Sequence, residues 1–232
     1  MKNILSIFFL MIILATTACI PQSVSTPSPL PATESATVFV PPTEIVQLPE
    51  DLKLYRNDVF GMAFQYPSSW LGPEEYISEQ TLRVEVGSDV VYPYGTGPDE
   101  RTYTLTNSYY VVIQYSKNDQ NTYWRETYQS LLNLADGESL SDGRGLTIRV
   151  RQFTVGRFSG IEYISTLSEA AQTSPAYSRS VILFDEQSNV LTMMGQPNNV
   201  EVVGGNWREA YRMVDEANLS IFHEILESIS IQ

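Results

Sequence analysis

Acidic side chains on a glycine-rich stretch are the residues of this sequence whose spacing comes closest to a metal site. Asp136, Glu138 and Asp142 alternate with glycine, serine and leucine in residues 136–145. Carboxylate oxygens are the ligands that Ca²⁺ prefers in proteins, but the stretch lacks the spacing of an EF-hand and its closing glutamate. We therefore predict a weak calcium site at these three residues, with a solvated loop as the alternative.

The single histidine, His223, limits the catalytic chemistry that this chain can carry. A serine–histidine triad on a Gly-x-Ser-x-Gly turn is not indicated, because the similar residues 156–160 have a different spacing. His223 lies four residues before Glu227 in a predicted helix, so we expect an exposed pair on one helix face. The sequence also lacks a phosphate-binding loop and a dinucleotide fingerprint. It predicts no catalytic residue, no cofactor and no transition-metal site, while a carboxylate pair assembled by the fold stays open.

Tyrosines are concentrated between residues 92 and 115. Aromatic rings exposed on a sheet form a platform for sugars or for a partner protein. The predicted binding residues are Tyr92, Tyr94, Tyr103, Tyr109 and Tyr110. Because Tyr109 and Tyr110 are adjacent, their side chains point to opposite faces of a strand. The alternative is that these tyrosines occupy half-buried strand positions, which suit this residue type.

The only cysteine, Cys19, follows an apolar segment at the start of the chain. Lys2 supplies a positive charge, residues 4–14 are mostly apolar, and small residues lead up to the cysteine. This is the three-part pattern of an export signal, and the apolar run is shorter than the ~20 residues of a membrane-spanning helix. Residues 14–19 resemble a bacterial lipoprotein signal, which implies cleavage after residue 18 and lipidation of Cys19. An uncleaved anchor helix and a plain secretory signal are the alternatives.

The composition divides the sequence into three segments. Residues 1–18 form the predicted signal peptide, and residues 19–50 are rich in proline, serine and threonine. A stretch of this kind buries too little apolar surface to offset its ordering entropy, so we expect a disordered tether behind the lipidated cysteine. Residues 51–232 have the composition and length of one folded domain. These features predict a domain anchored at the extracytoplasmic face of a bacterial cell membrane.

The formal net charge of −13 at pH 7 narrows the choice of partner. Nucleic-acid binding depends on cationic side chains that displace counterions, so the acidic balance argues against it. The same balance disfavours adhesion of the folded domain to an anionic lipid surface. Membrane attachment is therefore expected only through the lipidated Cys19. With that thiol acylated, disulfide bonds and cysteine catalysis are excluded.

Most of the domain alternates apolar and polar residues with the period of a strand. We predict strands at residues 60–66, 82–86, 102–106, 109–115, 146–155, 161–166, 178–184 and 190–194. Successive strands joined by short turns favour antiparallel pairing. Helical spacing gives apolar faces at residues 124–135 and 222–229 and a weaker one at residues 207–216. The first helix is expected to begin after Asn121 or Thr122 and to end at Gly137, and the last is expected to begin after Asn218 or Ser220. Many strands with a few amphipathic helices indicate an α+β fold, a mostly antiparallel sheet flanked by helices.

Both ends of the domain resemble a known superfamily. Residues 55–70 contain a tyrosine, a turn, a glycine-led strand and the stop Tyr66-Pro67-Ser68-Ser69-Trp70. Together with residues 222–231, they resemble the first strand region and the last helix and strand of the PsbP-like superfamily. The resemblance implies an α/β/α sandwich around an antiparallel sheet. The superfamily includes photosystem II subunits, Ran-binding transport factors and bacterial lipoproteins, so the fold does not specify a function.

These observations together predict a lipid-anchored, non-enzymatic domain that binds or scaffolds a partner in the cell envelope. The first alternative is a surface carbohydrate-binding module that uses the tyrosine stretch, and buried tyrosine rings would count against it. The second alternative is a cell-envelope hydrolase. A hydrolase needs a convergent polar site, which the sequence does not display.

Overall fold

The computed structural model describes residues 51–95, 102–141, 145–167 and 176–232. The predicted signal peptide, the tether and Cys19 lie outside these residues, as does Asp142 of the predicted calcium loop. The division of the chain into three segments therefore stays a prediction. Among the helices of the described part, none combines the length and the apolar character needed to cross a membrane.

The described strands form two sheets in which every pairing is antiparallel. The strands are β1 (Leu52–Asn57), β2 (Met62–Pro67), β3 (Leu71–Ile77), β4 (Thr81–Gly87), β5 (Ser108–Ser116), β6 (Ser139–Ser141), β7 (Gly145–Val155), β8 (Phe158–Leu167), β9 (Ala176–Phe184), β10 (Val190–Asn198) and β11 (Ser230–Ile231). The helices are α1 (Thr122–Leu132), α2 (Trp207–Ala217) and α3 (Leu219–Ser228). The large sheet has the order β3-β4-β5-β10-β9-β8-β7-β6, and the small sheet has the order β1-β2-β11. The predicted α+β class and the antiparallel pairing are confirmed.

Short turns explain why neighbouring strands pair. Val155 lies opposite Phe158, so only two residues join β7 to β8, and Gly156 there has a positive φ of 55°. A two-residue hairpin turn requires this left-handed conformation, which glycine adopts without strain. In the turn from β9 to β10, the Asp185 carboxylate accepts two backbone N–H groups, each at 2.9 Å. These two turns hold the middle strands of the large sheet in register.

Asparagine side chains define the ends of the helices. Asn121 precedes α1, and its side-chain oxygen accepts a hydrogen bond from the backbone N–H of Tyr123 at 3.0 Å. Asn206 caps α2 by accepting from a backbone N–H in the first turn at 3.3 Å. Asn218 separates α2 from α3 and donates from its side chain to the carbonyl of Val214 at 2.8 Å. Such contacts satisfy backbone groups that lack a partner within the helix, so they set these boundaries.

Apolar clusters pack against both faces of the large sheet. The larger cluster joins the sheet to β2 and α3 and includes Phe64, Ile113 and Phe222. Full burial of a side chain such as Phe222 contributes about 1.5–3 kcal/mol relative to exposure. The smaller cluster joins Leu131 of α1 to Ile161 of β8 and their neighbours. Alternate residues of one strand therefore face different helices.

One predicted strand is absent from the structure, and one predicted helix ends early. No strand forms over the described residues 102–106, because Asp89 binds this segment: its carboxylate accepts from the backbone N–H groups of Thr104 at 2.6 Å and Leu105 at 2.8 Å. Those donors are thus taken by a side chain instead of a neighbouring strand. Helix α1 ends at Leu132, before the predicted residue 135, with Asn133 at its end.

Candidate binding groove

A groove of about 690 Å³ lies between α1 and the large sheet. Its lining comes from α1 and from β6, β7, β8, β9 and β10. Small-molecule sites in proteins have volumes of about 300–1,000 Å³, so the groove has the size of a ligand site.

Two cross-strand rows of side chains form the floor of the groove. In the first row, Thr147, Ser165 and Ser178 are register partners on β7, β8 and β9. In the second row, Tyr163 of β8 lies opposite Ser180 of β9. Strands pair at a spacing of about 4.8 Å, so the hydroxyls of the first row are separated by about this distance. The floor therefore presents an ordered line of hydroxyl groups beside a tyrosine ring.

Helix α1 provides the opposite wall. Trp124, Thr127 and Leu131 line the groove and, at spacings of three and four residues, share one helix face. Leu131 is buried and packs with Ile161 and Ile182 of the sheet, which anchors the helix. Trp124 and Thr127 are half-buried and border the groove. The wall thus combines one large aromatic ring with a hydroxyl.

The lining of the groove is uncharged. Charged residues make up 18% of the sequence, yet none of the described residues that line the groove is an aspartate, glutamate, lysine, arginine or histidine. Tyr163 is a buried titratable residue of the described lining. Burial raises the pKa of Tyr163 to about 12, although a hydrogen bond with Ser180 acts to lower it. This tyrosine is therefore neutral at physiological pH. The groove offers hydroxyl groups, aromatic faces and aliphatic carbon to a ligand.

The hydroxyls of the first floor row are available to a ligand. In the described part of the chain, Thr147, Ser165 and Ser178 make no side-chain hydrogen bond with one another or with other residues. All three are half-buried, so water or a bound molecule must satisfy them.

A buried ion-pair cluster lies on the other face of the same sheet. At its centre, Arg179 of β9 donates to Asp215 of α2 at 2.7 Å and to Glu162 of β8 at 2.6 Å. Both carboxylates are completely buried. The hydroxyls of Tyr109 and Tyr177 donate to Asp215 at 3.0 and 3.2 Å. One arginine thus pairs with two buried carboxylates and links α2 to the sheet.

Glu162 also connects α3 to the sheet. Its carboxylate lies 3.1 Å from Nε2 of His223 and accepts from Nε of Arg151 at 2.8 Å. Burial alone would raise the pKa of Glu162, but hydrogen bonds from His223, Arg151 and Arg179 lower it to about 2. The ionised form is therefore held at neutral pH, which suits a structural ion pair and not a general acid.

The predicted exposed pair of His223 and Glu227 is wrong. His223 is half-buried and contacts Glu162, a residue 61 positions away along the chain. Local helical spacing favours the contact with Glu227, but α3 packs against the sheet and turns this side chain toward the buried carboxylate.

The five tyrosines of the predicted platform lie in different environments. Tyr109 is only 1% exposed, so its ring face is closed to any ligand, which removes it from the predicted binding set. Tyr110 is half-buried and donates to Gln196 at 2.7 Å. Tyr92 and Tyr103 are half-buried and pack edge to face at 6.3 Å. Tyr94 alone of the five is exposed, at 50%, with its ring against Arg83 at 4.4 Å.

The described carboxylates of the predicted calcium loop already have protein partners. Asp136 forms an ion pair with Arg149 at 2.9 Å, and Glu138 accepts from the backbone N–H of Ala135 at 2.7 Å. Asp142 is outside the described residues. Within the described ranges, no group of three or more histidine, cysteine, aspartate or glutamate residues is placed to hold a metal ion.

Sequence reasoning missed both the groove and the ion-pair cluster. The available signal for the groove was the recurrence of serine at positions 165, 178 and 180 in two neighbouring strands. The cluster has no local signal, because its central partners are 17 and 36 residues apart along the chain.

Fold and groove together define an α+β domain with a ligand-sized groove whose described lining is uncharged. No protein-family model matches the chain, and no curated protein matches it. The chain is similar to a solution structure of cyanobacterial PsbP (CyanoP) from Synechocystis sp. PCC 6803. The identity is 9%, the TM-score is 0.34, and the match covers 78% of this chain and 92% of that chain. A similarity of this degree does not decide the superfamily.

Proposed function

We propose that the chain is a lipid-anchored extracytoplasmic domain of the bacterial envelope that binds a ligand or partner and does not catalyse a reaction. Its domain is of the PsbP-like type, an α/β/α sandwich with α1 on one face of the large sheet and α2 and α3 on the other. The observation that carries the binding role is the groove under α1, which has the volume of a ligand site and no charged lining residue among those described.

The position of the titratable groups favours binding over hydrolysis. Among the described carboxylates, Glu162 and Asp215 are the two that are completely buried, and both are bound to Arg179. Neither residue lines the groove. A general acid or base must lie within hydrogen-bond reach of the reacting group. Glu162 and Asp215 therefore cannot act as the acid or base for a ligand bound in the groove.

The anchor rests on the pattern around Cys19. Acylation there would place the domain at the extracytoplasmic membrane face, with residues 19–50 between the lipid and the fold. An alkyne-tagged fatty acid fed to a bacterial host that processes lipoproteins tests this step. The full-length chain should take up the label, and the Cys19→Ser chain should not. Labelling of both chains, or of neither, would refute the anchor.

Photo-crosslinking in intact cells tests the binding role. Thr127 lines the groove, so p-benzoylphenylalanine at this position should give a light-dependent adduct. The matched control places the same group at Glu224, an exposed position on α3. An adduct from position 127 alone supports the proposal. No adduct from position 127, or the same adduct from both positions, would contradict it.

A further inference from the structure

We infer that the ligand of this groove is a neutral carbohydrate, bound between Trp124 on α1 and the hydroxyl row on the sheet. This inference rests on the proposed binding function and names the ligand class of the same site. A pyranose ring has C–H groups on its faces and hydroxyls around its edge. Its recognition therefore needs aromatic surface and hydrogen-bonding groups in one place.

The aromatic surface comes from Trp124 on the helix wall. Tyr163 on the floor also lines the groove but is buried, so it contributes little open surface. Aromatic side chains of this kind combine a large apolar face with a polar group at one edge. Trp124 is half-buried, so part of its surface is open to a ligand.

The hydrogen-bonding groups match those of a sugar. Thr147, Ser165 and Ser178 form a row across three strands, and within the described residues their hydroxyls have no side-chain partner. A hydroxyl both donates and accepts, as does each hydroxyl of a sugar. A purely apolar ligand would cover this row without giving it partners, which is unfavourable for buried polar groups.

The charge of the site selects a neutral sugar. None of the described lining residues is an arginine or lysine that could pair with a carboxylate, sulfate or phosphate of an anionic glycan. The net charge of −13 adds a long-range repulsion of anions. A cationic sugar finds no carboxylate in the described lining either. Transfer of a charged group into such a site is costly when no counterion is present.

Calorimetry on the full-length chain tests the ligand class. The protein is kept in a polyoxyethylene detergent, because the headgroup of a maltoside detergent would compete for the site. The neutral probes are maltotriose, cellotriose and triacetylchitotriose, and the charged probes are sialyllactose and deacetylated chitotriose. At least one neutral trisaccharide should bind with a micromolar to millimolar Kd, and the charged probes should bind at least about tenfold more weakly.

Substitutions locate the bound sugar. Trp124→Ala should weaken binding by about tenfold or more, while Trp124→Phe retains an aromatic face and most of the affinity. The Ser165→Ala and Ser178→Ala chains should each bind more weakly than the unchanged protein. Tyr94→Ala is the matched control, because Tyr94 is an exposed aromatic residue of the predicted platform that does not line the groove. Far-ultraviolet circular dichroism checks that each variant is folded.

The outcomes separate this inference from the proposed function. Loss of binding in the Tyr94→Ala chain with normal binding in the Trp124→Ala chain would overturn the groove as the sugar site. Equal binding of charged and neutral probes, or no binding of any neutral probe at about 10 mM, would overturn the ligand class. If calorimetry rejected the sugar but position 127 still gave a light-dependent adduct, the proposed binding function would be kept and only the ligand class would be rejected. If neither sugar binding nor a light-dependent adduct were observed, both the ligand class and the binding function would be rejected.

Discussion

The two faces of the large sheet differ in the kind of polar group that they bury. On one face of β8, Tyr163 and Ser165 line a groove that has no charged residue among those described. On the other face, Glu162 is completely buried and is bound to Arg179. One side of the strand thus has polar groups that a ligand can reach, whereas the other has polar groups that the protein itself satisfies.

This difference shows which positions of the fold can hold a buried charged side chain. A buried carboxylate is stable only when paired and hydrogen-bonded, so the charged face is closed by α2 and α3. Neutral hydroxyls have a much smaller desolvation cost, so the groove can exchange water for a ligand without rearranging the sheet. The charged face therefore serves stability, and the groove is the part of the described structure to which we assign the proposed binding.

The largest expected effect is from Arg179→Leu. Removal of this arginine leaves Glu162 and Asp215 buried without their shared counterion. We expect the free energy of unfolding to fall by about 3–5 kcal/mol, measured by urea denaturation. A fall below about 1 kcal/mol would mean that the cluster is more hydrated than the structure indicates.

Leu131→Ala tests the anchor of the groove wall. Leu131 is 1% exposed and packs on Ile161 and Ile182, so its truncation should cost about 2–4 kcal/mol of unfolding free energy. Leu140 also lines the groove but is 38% exposed, and Leu140→Ala should cost much less. Equal losses in the two variants would show that α1 is not held by Leu131.

The pH dependence of stability isolates Glu162. Its pKa is lowered from 4.5 to about 2 in the folded state, so the unfolded chain takes up the proton first as the pH falls. The stabilisation from Glu162 is therefore complete above pH ~5 and is lost between about pH 5 and pH 2, by roughly 2–3 kcal/mol. The Glu162→Gln chain should lack this component. Identical pH slopes of the two chains in urea denaturation would contradict the assignment.

The smallest effect is expected from Arg212→Ala on the exposed side of α2. Arg212 pairs with Glu209 at 2.6 Å and also with Glu216, but all three side chains are largely exposed to solvent. Exposed pairs are screened by water and salt, so the urea midpoint should not shift measurably. A shift as large as that of Arg179→Leu would remove the distinction between the buried and the exposed ion pairs.

Local patterns predicted most of the elements but not the positions of the polar groups. The alternation at Leu82, Val84 and Val86 predicted a strand, which the structure has as β4. The apolar spacing at Phe222, Ile225 and Leu226 predicted a helix, which the structure has as α3. Both predictions rest on interactions within a few residues. The strand predicted at residues 102–106 failed because a side chain from outside that segment binds its backbone.

Predictions of single side chains failed where distant elements meet. His223 was expected to contact Glu227, and it contacts Glu162 instead. Tyr109 was expected to be a binding residue, and it is buried against Asp215, whereas its neighbour Tyr110, expected on the opposite face, is half-buried beside Gln196. The period of the strand gives the alternation, but only the position of α2 shows which face is closed.

The sequence by itself determined most of the element types, the antiparallel pairing and the acidic balance, because composition and periodicity are local properties of the chain. The tertiary structure decided which polar residues are satisfied and which are open. Thr147, Ser165 and Ser178 become one row only through strand register, and Trp124 faces them only because Leu131 anchors α1. Register and helix docking are set by packing between segments distant along the chain, so short-range patterns do not contain them.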